Sequence, residues 1–132
     1  MQLIPNPPSY RRIWLLLGLG MIAGVVVLSL IPVEVDLEEG RDKLAHLLAY
    51  GSLTLWFGMI FSSRIAQLGI ALAFCAMGVG VEFLQGLTDY RTTDVADMIA
   101  NAVGAALGWG LVQTPLKSAL AWIERRILPP PR

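Results

Sequence analysis

The chain has little charge and almost none of the side chains that carry redox or nucleophilic chemistry. Only 15% of its 132 residues are charged and 55% are hydrophobic, whereas a soluble domain has roughly 25% charged residues. Its ten basic and ten acidic residues cancel, which argues against a nucleic-acid partner. The single cysteine, Cys75, excludes an internal disulfide, and we interpret it as a small apolar side chain within a helix.

Long apolar segments take the place of the missing charge. About 20 apolar residues span a bilayer, so the chain has room for about four spans and no soluble module. We predict an all-α integral membrane protein, with a four-helix membrane domain over residues 13–112. Its helices are expected at about residues 13–32, 43–62, 65–87 and 94–112. A signal peptide is the alternative for the first apolar run, but signal-peptide cores are shorter, about 7–15 residues, and end at a cleavage site that is missing here.

The two ends of the chain differ from this domain. Residues 1–12 form a basic N-terminal tail, and residues 116–128 predict an amphipathic surface helix. The apolar face of that helix comprises Leu116, Leu120, Ile123 and Ile127. The opposite face carries Lys117, Glu124 and Arg125. The segment is too short and too charged to span, so we expect it on the membrane surface with Trp122 near the interface. A helix that packs on another protein is the alternative.

Basic residues predict the orientation of the chain. With four spans and a cytoplasmic N-terminus, seven basic residues lie inside: Arg11, Arg12, Arg64, Lys117, Arg125, Arg126 and Arg132. Three lie outside: Arg41, Lys43 and Arg91. Because cytoplasmic loops carry an excess of Lys and Arg, we expect a multi-pass protein with both termini in the cytoplasm.

Polar residues recur at the outer ends of three predicted helices, next to an acidic loop (residues 33–42) and a second polar loop (residues 88–93). Helix two carries Lys43, His46 and Tyr50 within about 60° of arc. Helix three carries Glu82 and Gln85. Arg91 precedes helix four, which carries Asp94, Asp97 and Asn101. Because each charge in a bilayer costs about 2.5–3.5 kcal/mol, we expect these residues to face one another around a pocket open to the outside.

Local signals add three structural predictions. Asp42 and Asp94 are expected to cap the second and fourth helices, since aspartate accepts hydrogen bonds from free backbone N–H groups. The very short turn at Ser63 and Arg64 predicts that helices two and three are antiparallel neighbours. Gly104 and Gly108 form a G-x-x-x-G motif, which favours close approach of helix backbones in lipid.

The polar residues also resemble the pattern of a known family. The residues that carry the resemblance are Asp42, Lys43, His46, Tyr50, Glu82, Gln85, Arg91, Asp94, Asp97, Asn101 and Gly104, within about residues 36–112. They are similar to the VanZ-like family, small bacterial membrane proteins named for a member associated with resistance to the glycopeptide teicoplanin. The resemblance implies a multi-span fold in the bacterial inner membrane and a role in the cell envelope.

The first functional hypothesis is a binding pocket for a lipid headgroup or a lipid-linked wall precursor. Lys43 and Arg91 would meet phosphate, for which arginine provides the better fork. Tyr50, Gln85, Asp94 and Asn101 complete the predicted ligand-binding set. Such binding would give teicoplanin resistance a physical route, because it alters or masks targets in the outer leaflet.

The second hypothesis is a membrane enzyme that acts on the same kind of molecule, with His46, Glu82 and Asp97 as its catalytic residues. His46 would be the general base, with its tautomer fixed by a carboxylate. The chain has one histidine, so it cannot supply the two histidines that we would look for in a lipid phosphatase.

Two further alternatives concern the charges themselves. The cluster could be purely structural, with Lys43 and Arg91 neutralising two of Glu82, Asp94 and Asp97. No cofactor is predicted, but a divalent cation could be bound by His46 together with those three carboxylates. Charge confined to one leaflet argues against a continuous transport path, and the sequence does not predict an oligomeric state.

Overall fold

The computed structural model describes residues 8–32 and 39–130, and all the regular secondary structure in this part of the chain is helical, with no β-strand. Four long helices are α1 (Arg11–Leu30), α2 (Glu39–Ile60), α3 (Arg64–Gly86) and α4 (Val95–Val112). A short 3-10 helix (Pro115–Ser118) and α5 (Ala119–Ile127) follow. The all-α prediction is confirmed. Most of the predicted N-terminal tail (residues 1–7), most of the acidic loop (residues 33–38) and residues 131–132 lie outside the described residues.

Three helices in the described chain are long and apolar enough to cross a membrane, namely α1, α3 and α4. Helix α2 has 22 residues, but its first two turns carry Arg41, Asp42, Lys43 and His46. Those charged and polar residues lower its apolar content, so the fourth predicted span stays a prediction.

Helices α2 and α4 lie side by side and run in the same direction. Near their starts, the Lys43 ammonium contacts the Asp94 carboxylate. Near their ends, Gly58 packs against Val112. The two helices therefore extend over the same depth of the bundle.

Helix α3 runs in the opposite direction beside them. Near its start, Gln67 accepts a hydrogen bond from Gln113, just beyond the end of α4, and donates to the carbonyl oxygens of Gly58 and Phe61 at the end of α2. The antiparallel arrangement predicted for helices two and three is confirmed. As a result, α2 and α4 begin at the end of the bundle where α1 and α3 finish.

The contact between α2 and α4 depends on glycine. Gly104 and Gly108 lie directly against the backbone of Leu47 and Gly51. A Cβ atom at Gly104 would stand 3.0 Å from the Leu47 Cα atom, inside the usual contact distance of about 3.5–4.0 Å. The close approach predicted from the G-x-x-x-G motif is confirmed.

The two predicted helix caps have different outcomes. Asp94 caps α4, because its Oδ1 atom accepts the backbone N–H of Ala96 at 2.8 Å. Asp42 is not a cap, since α2 begins at Glu39 and Asp42 lies within its first turn. That prediction was wrong because the residues before Asp42 add a helical turn without any apolar periodicity to reveal it.

The C-terminal helix returns to the start of α1. Glu124 is 6% exposed, and its carboxylate accepts the backbone N–H groups of Ser9 and Tyr10 at 2.8 and 2.9 Å and the indole N–H of Trp14 at 2.6 Å. Placing Glu124 on an outward polar face was wrong. The N–H groups at a helix start have no partner within the helix, so a buried carboxylate is stabilised there.

The predicted apolar face of this C-terminal segment is divided in the structure. Leu120 is buried in the hydrophobic core, whereas Leu116, Trp122 and Ile127 are exposed. Those exposed apolar side chains are available to lipid, but the location of α5 on a membrane surface stays a prediction.

Candidate functional site

Polar side chains from three helices converge where α2 and α4 begin and α3 ends. The Lys43 Nζ atom lies 2.8 Å from Asp94 Oδ2 and 2.6 Å from Asp97 Oδ1. The Glu82 Oε1 atom accepts the backbone N–H of Asp94 at 2.7 Å. The three stripes that the sequence predicted therefore face one another, and Lys43 joins α2 to α4.

Asp94 has two structural contacts at once, as the cap of α4 and as a partner of Lys43. The Lys43 ammonium, together with the Ala96 N–H, holds the pKa of the Asp94 carboxyl below its usual value. Asp94 is therefore charged at neutral pH, and its oxygens are already engaged by the protein.

His46 is held by α4 on one side and faces carboxylates on the other. Its Nδ1 atom lies 3.0 Å from the Oδ1 atom of the buried Asn101. Because that oxygen is an acceptor, Nδ1 carries the proton in this arrangement. The Nε2 atom lies 3.5 Å from Asp97 Oδ2 and 3.7 Å from Asp42 Oδ1. Asp42 was not among the predicted site residues, although its i, i+4 spacing from His46 was a signal that could have found it.

Two predicted site residues are buried with polar atoms left over. Glu82 and Tyr50 are each 1% exposed. Neither Glu82 Oε2 nor the Tyr50 hydroxyl has a hydrogen-bond partner among the residues described. Buried polar atoms are nearly always hydrogen-bonded, so these two mark places where the protein can bind something more.

Gln85 and Arg91 contact the end of α1. The Gln85 Nε2 atom donates to the Ser29 carbonyl at 2.8 Å, and Arg91 Nη1 donates to the same oxygen at 3.3 Å. The Tyr90 hydroxyl donates to the Leu30 carbonyl. The last carbonyls of a helix lack partners within it, so these donors stabilise the end of α1.

Arg91 thus neutralises none of the three carboxylates that the purely structural alternative divided between it and Lys43. Over residues 8–32 and 39–130, no carboxylate lies within ion-pair distance of its guanidinium. Its long hydrogen bond to Ser29 uses one of five N–H donors. The guanidinium can therefore bind a further acceptor.

Two adjoining cavities meet at Asp42 and Arg91. The first, which we call the apolar groove, has a volume of about 360 Å³ and lies between α1 and α2. Besides the two shared residues it is lined by Val25, Leu28, Ser29, Ala45, His46, Ala49 and Tyr50. The second, the polar cavity, has a volume of about 270 Å³ and is lined by the shared pair with Glu82, Gln85, Tyr90, Thr92, Asp94 and Asp97. Every predicted site residue except Lys43 and Asn101 lines one of these two cavities. Lys43 is hydrogen-bonded to Asp97 and Asn101 to His46, which both line a cavity.

All the secondary structure of the described residues is helical, three of the helices are able to cross a membrane, and the polar cluster built on Lys43 lies at one end of the bundle. These features define a helical membrane protein. A family model described as VanZ/LLP1 matches residues 20–117, which is most of the chain. The protein belongs to the VanZ/LLP1 family, and the resemblance noted from its polar residues is confirmed.

One similar protein has been curated in Schizosaccharomyces pombe, where it is described as uncharacterized. It is 38% identical over 70 residues, which are 51% of this chain and 43% of the relative. The matched segment thus spans less than half the length of that relative. No solved structure matches the chain significantly.

Proposed function

We propose that the protein binds a membrane lipid with an anionic, phosphate-bearing headgroup, with an acyl chain in the apolar groove and the headgroup in the polar cavity. The observation that carries this proposal is the shared boundary of the two cavities at Asp42 and Arg91. A lipid has the same two parts, an apolar chain and a polar head, joined at one point.

Arg91 is the residue best suited to the phosphate. Lys43, the other predicted phosphate ligand, is already paired with Asp94 and Asp97, whereas among the described residues the Arg91 guanidinium makes only the long hydrogen bond to Ser29. A guanidinium presents parallel N–H groups that match two phosphate oxygens. Gln85 and Tyr50, which also line the cavities, would contact other polar atoms of the ligand.

The proposal includes a topology in which α2 is the fourth span. Because α2 lies beside α4 from Lys43 to Gly58, it occupies the same depth as a helix that can cross the membrane. The excess of basic residues near the start of α1 and on α5 supports cytoplasmic termini. The polar cavity would then open to the outside of a bacterial inner membrane, on the envelope side.

The fungal relative supports a ligand that many membranes share, such as a phospholipid, over a precursor of the bacterial wall. If the protein binds such lipids in the outer leaflet, it alters the membrane surface that the antibiotic meets, and this would provide the route to teicoplanin resistance. This link rests on the lipid proposal and fails with it.

The proposal can be tested by titrating the purified protein in detergent with fluorescent phosphatidylglycerol. Diacylglycerol serves as the comparison ligand without phosphate. Arg91→Gln should weaken phosphatidylglycerol binding tenfold or more, since one hydrogen bond to a charged group contributes about 1.5–3 kcal/mol. Arg64→Gln is the matched control, because Arg64 is exposed at the other end of the bundle. Equal affinity of wild type and Arg91→Gln for phosphatidylglycerol would rule the proposed headgroup contact out.

A second variant tests the groove separately. Ala49 lines it between α1 and α2, so Ala49→Phe should fill part of the groove and leave the Arg91 side chain itself unchanged. We expect this variant to lose affinity for phosphatidylglycerol with long acyl chains and to keep its affinity for a short-chain form. Loss of both ligands would point to misfolding, which circular dichroism detects.

A catalytic role is favoured by one observation, namely that His46 lines the apolar groove next to Asp42 and lies 3.5 Å from Asp97. In this reaction His46 would take a proton from a water molecule that attacks the lipid phosphorus. The P–O bond to glycerol would break, and the leaving glycerol oxygen would take up a proton, which gives inorganic phosphate and diacylglycerol. Incubation of purified protein with phosphatidic acid and measurement of released phosphate tests it. The activity should disappear in His46→Gln, and no release by the wild-type protein would exclude this reaction.

A further inference from the structure

We infer that Asp42, His46 and Asp97 form a binding site for a divalent transition-metal ion. One ligand atom from each, a carboxylate oxygen or a ring nitrogen, lies within 4.8 Å of the other two. Metal–ligand bonds of about 2.0–2.2 Å to nitrogen and oxygen place the ligands of one ion at most about 4.4 Å apart. The separations from His46 Nε2, 3.5 Å to Asp97 and 3.7 Å to Asp42, fall within that limit.

The orientation of the imidazole supports this site. Asn101 Oδ1 accepts the proton of His46 Nδ1, which turns the Nε2 lone pair toward the two carboxylates. In the neutral imidazole, the Nε2 lone pair and the two carboxylate oxygens repel one another, and a bound cation relieves that repulsion as a second ring proton would. A hydrogen bond from the outer nitrogen to a protein acceptor is the usual support of a metal-binding histidine, and Asn101 provides it from the same helix as Asp97.

Glu82 is an independent observation that points to a ligand. Its carboxylate is 1% exposed, and its Oε2 atom has no partner in the described part of the chain. Glu82 lines the polar cavity together with Asp42 and Asp97. A metal ion, or water bound to it, would supply that oxygen with a partner.

The ligand set differs from the alternative considered from the sequence, in which His46 was combined with Glu82, Asp94 and Asp97 and Asp42 was absent. Asp94 is engaged by Lys43 and by the Ala96 N–H, so it is not available. Asp42 takes its place because α2 begins earlier than predicted. Of the two Asp97 oxygens, Lys43 contacts Oδ1. The other oxygen, Oδ2, faces His46.

The chemistry of the set indicates the class of ion. One imidazole with carboxylates suits Zn²⁺ or Mn²⁺, whereas Ca²⁺ takes six to eight oxygen ligands. The ion would lie at the wall of the polar cavity. The site stands independently of the lipid proposal, because its binding can be measured with the metal alone.

The experiment is calorimetric titration of the full chain, without an affinity tag and stripped of metal in detergent, with ZnCl₂ and with MnCl₂. We expect about one ion per chain, and a tenfold or greater loss of affinity in Asp42→Asn and in His46→Gln. Asp89→Asn is the matched control, because Asp89 is an exposed carboxylate at the same end of the bundle and should leave binding unchanged.

The Asp42→Asn variant keeps the test decisive. The Asp42 side chain is 32% exposed and lies outside the Lys43 contacts, so the variant should fold. Added Zn²⁺ should raise the melting temperature of the wild type and not that of Asp42→Asn. A wild type that binds no ion, or an Asp42→Asn variant that binds as tightly as the wild type, would overturn the inference. Arg91→Gln should retain the ion, which separates failure of this site from failure of the lipid site.

Discussion

A single methyl group at Gly104 tests the packing that holds the polar site together. An alanine Cβ there would stand 3.0 Å from both the Cα and the carbonyl carbon of Leu47, where carbon atoms need about 3.5–4.0 Å. The helices would have to separate locally by about 0.5–1 Å. Because the opposing atoms are backbone, no side-chain rotation can relieve the contact.

Overpacking of this kind costs about 1–3 kcal/mol, so we expect Gly104→Ala to lose that much stability. Gly110 lies on the same helix, and a Cβ there would meet no described atom within 4 Å. Gly110→Ala should be neutral or more stable by up to about 1 kcal/mol, since alanine is the better helix former. The two substitutions add the same methyl group and should have effects of opposite sign.

Unfolding in mixed micelles by increasing dodecyl sulfate, followed by circular dichroism, measures both variants. A Gly104→Ala protein as stable as the wild type would refute the close packing of α2 on α4. Equal destabilisation by both substitutions would show that helix flexibility, and not contact, is the reason for glycine in α4.

Three other predictions concern charged residues. Glu124→Ala removes the acceptor of three hydrogen bonds and should destabilise the protein by at least about 1.5–3 kcal/mol, the contribution of one hydrogen bond to a charged group. It should also shift the fluorescence of Trp14, its indole partner, and unchanged fluorescence would contradict that contact. Lys43 lowers the pKa of Asp94 in the folded state below the ordinary value of 3.8. The stabilisation of the fold by the ionised carboxylate is therefore present above about pH 4 and is lost as the pH falls through the lower folded pKa. The stability difference between wild type and Asp94→Asn should shrink over that range, and a constant difference would refute the pairing. Lys43→Gln leaves the Asp97 carboxylate, which is 10% exposed, without its cation. It should lower the free energy of unfolding by about 1–3 kcal/mol, less than the loss of a fully buried pair, because the lysine is 26% exposed. The double variant with Asp97→Asn should recover part of that stability, and no recovery would mean that the two residues are not coupled.

The sequence was sufficient to predict features that depend on the spacing of residues within one helix. Lys43 and His46 share a face of α2, and Asp97 and Asn101 share a face of α4, so the cost of charge in lipid predicted that the two faces meet. The cap at Asp94 was predictable for the same reason, because a cap acts on backbone two residues away.

Partners that are distant in the chain could not be predicted. Glu124 looked like one more charged residue of an amphipathic helix, but the N–H groups it accepts are more than a hundred residues away. Arg91 could have paired with any of several carboxylates, yet it lies beside a carbonyl of α1. Asp42 was missed as a site residue because it was interpreted as a cap outside the helix. Its i, i+4 spacing from His46 places the two side chains on one face only if both residues are helical. What the site binds stays a prediction.

The parallel course of α2 and α4, the most extensively packed pair of helices in the bundle, has an electrostatic consequence. Each helix carries about half a positive elementary charge at its N-terminal end, and both of these ends lie together, so the aligned dipoles repel along the contact. Asp42 lies in the first turn of α2, and Asp94 and Asp97 lie at the start of α4. An anion at a helix start contributes about 0.3–1 kcal/mol. These aspartates therefore offset the repulsion between two like-directed dipoles, and neutralising all three together would weaken the contact between α2 and α4 even in the absence of any ligand.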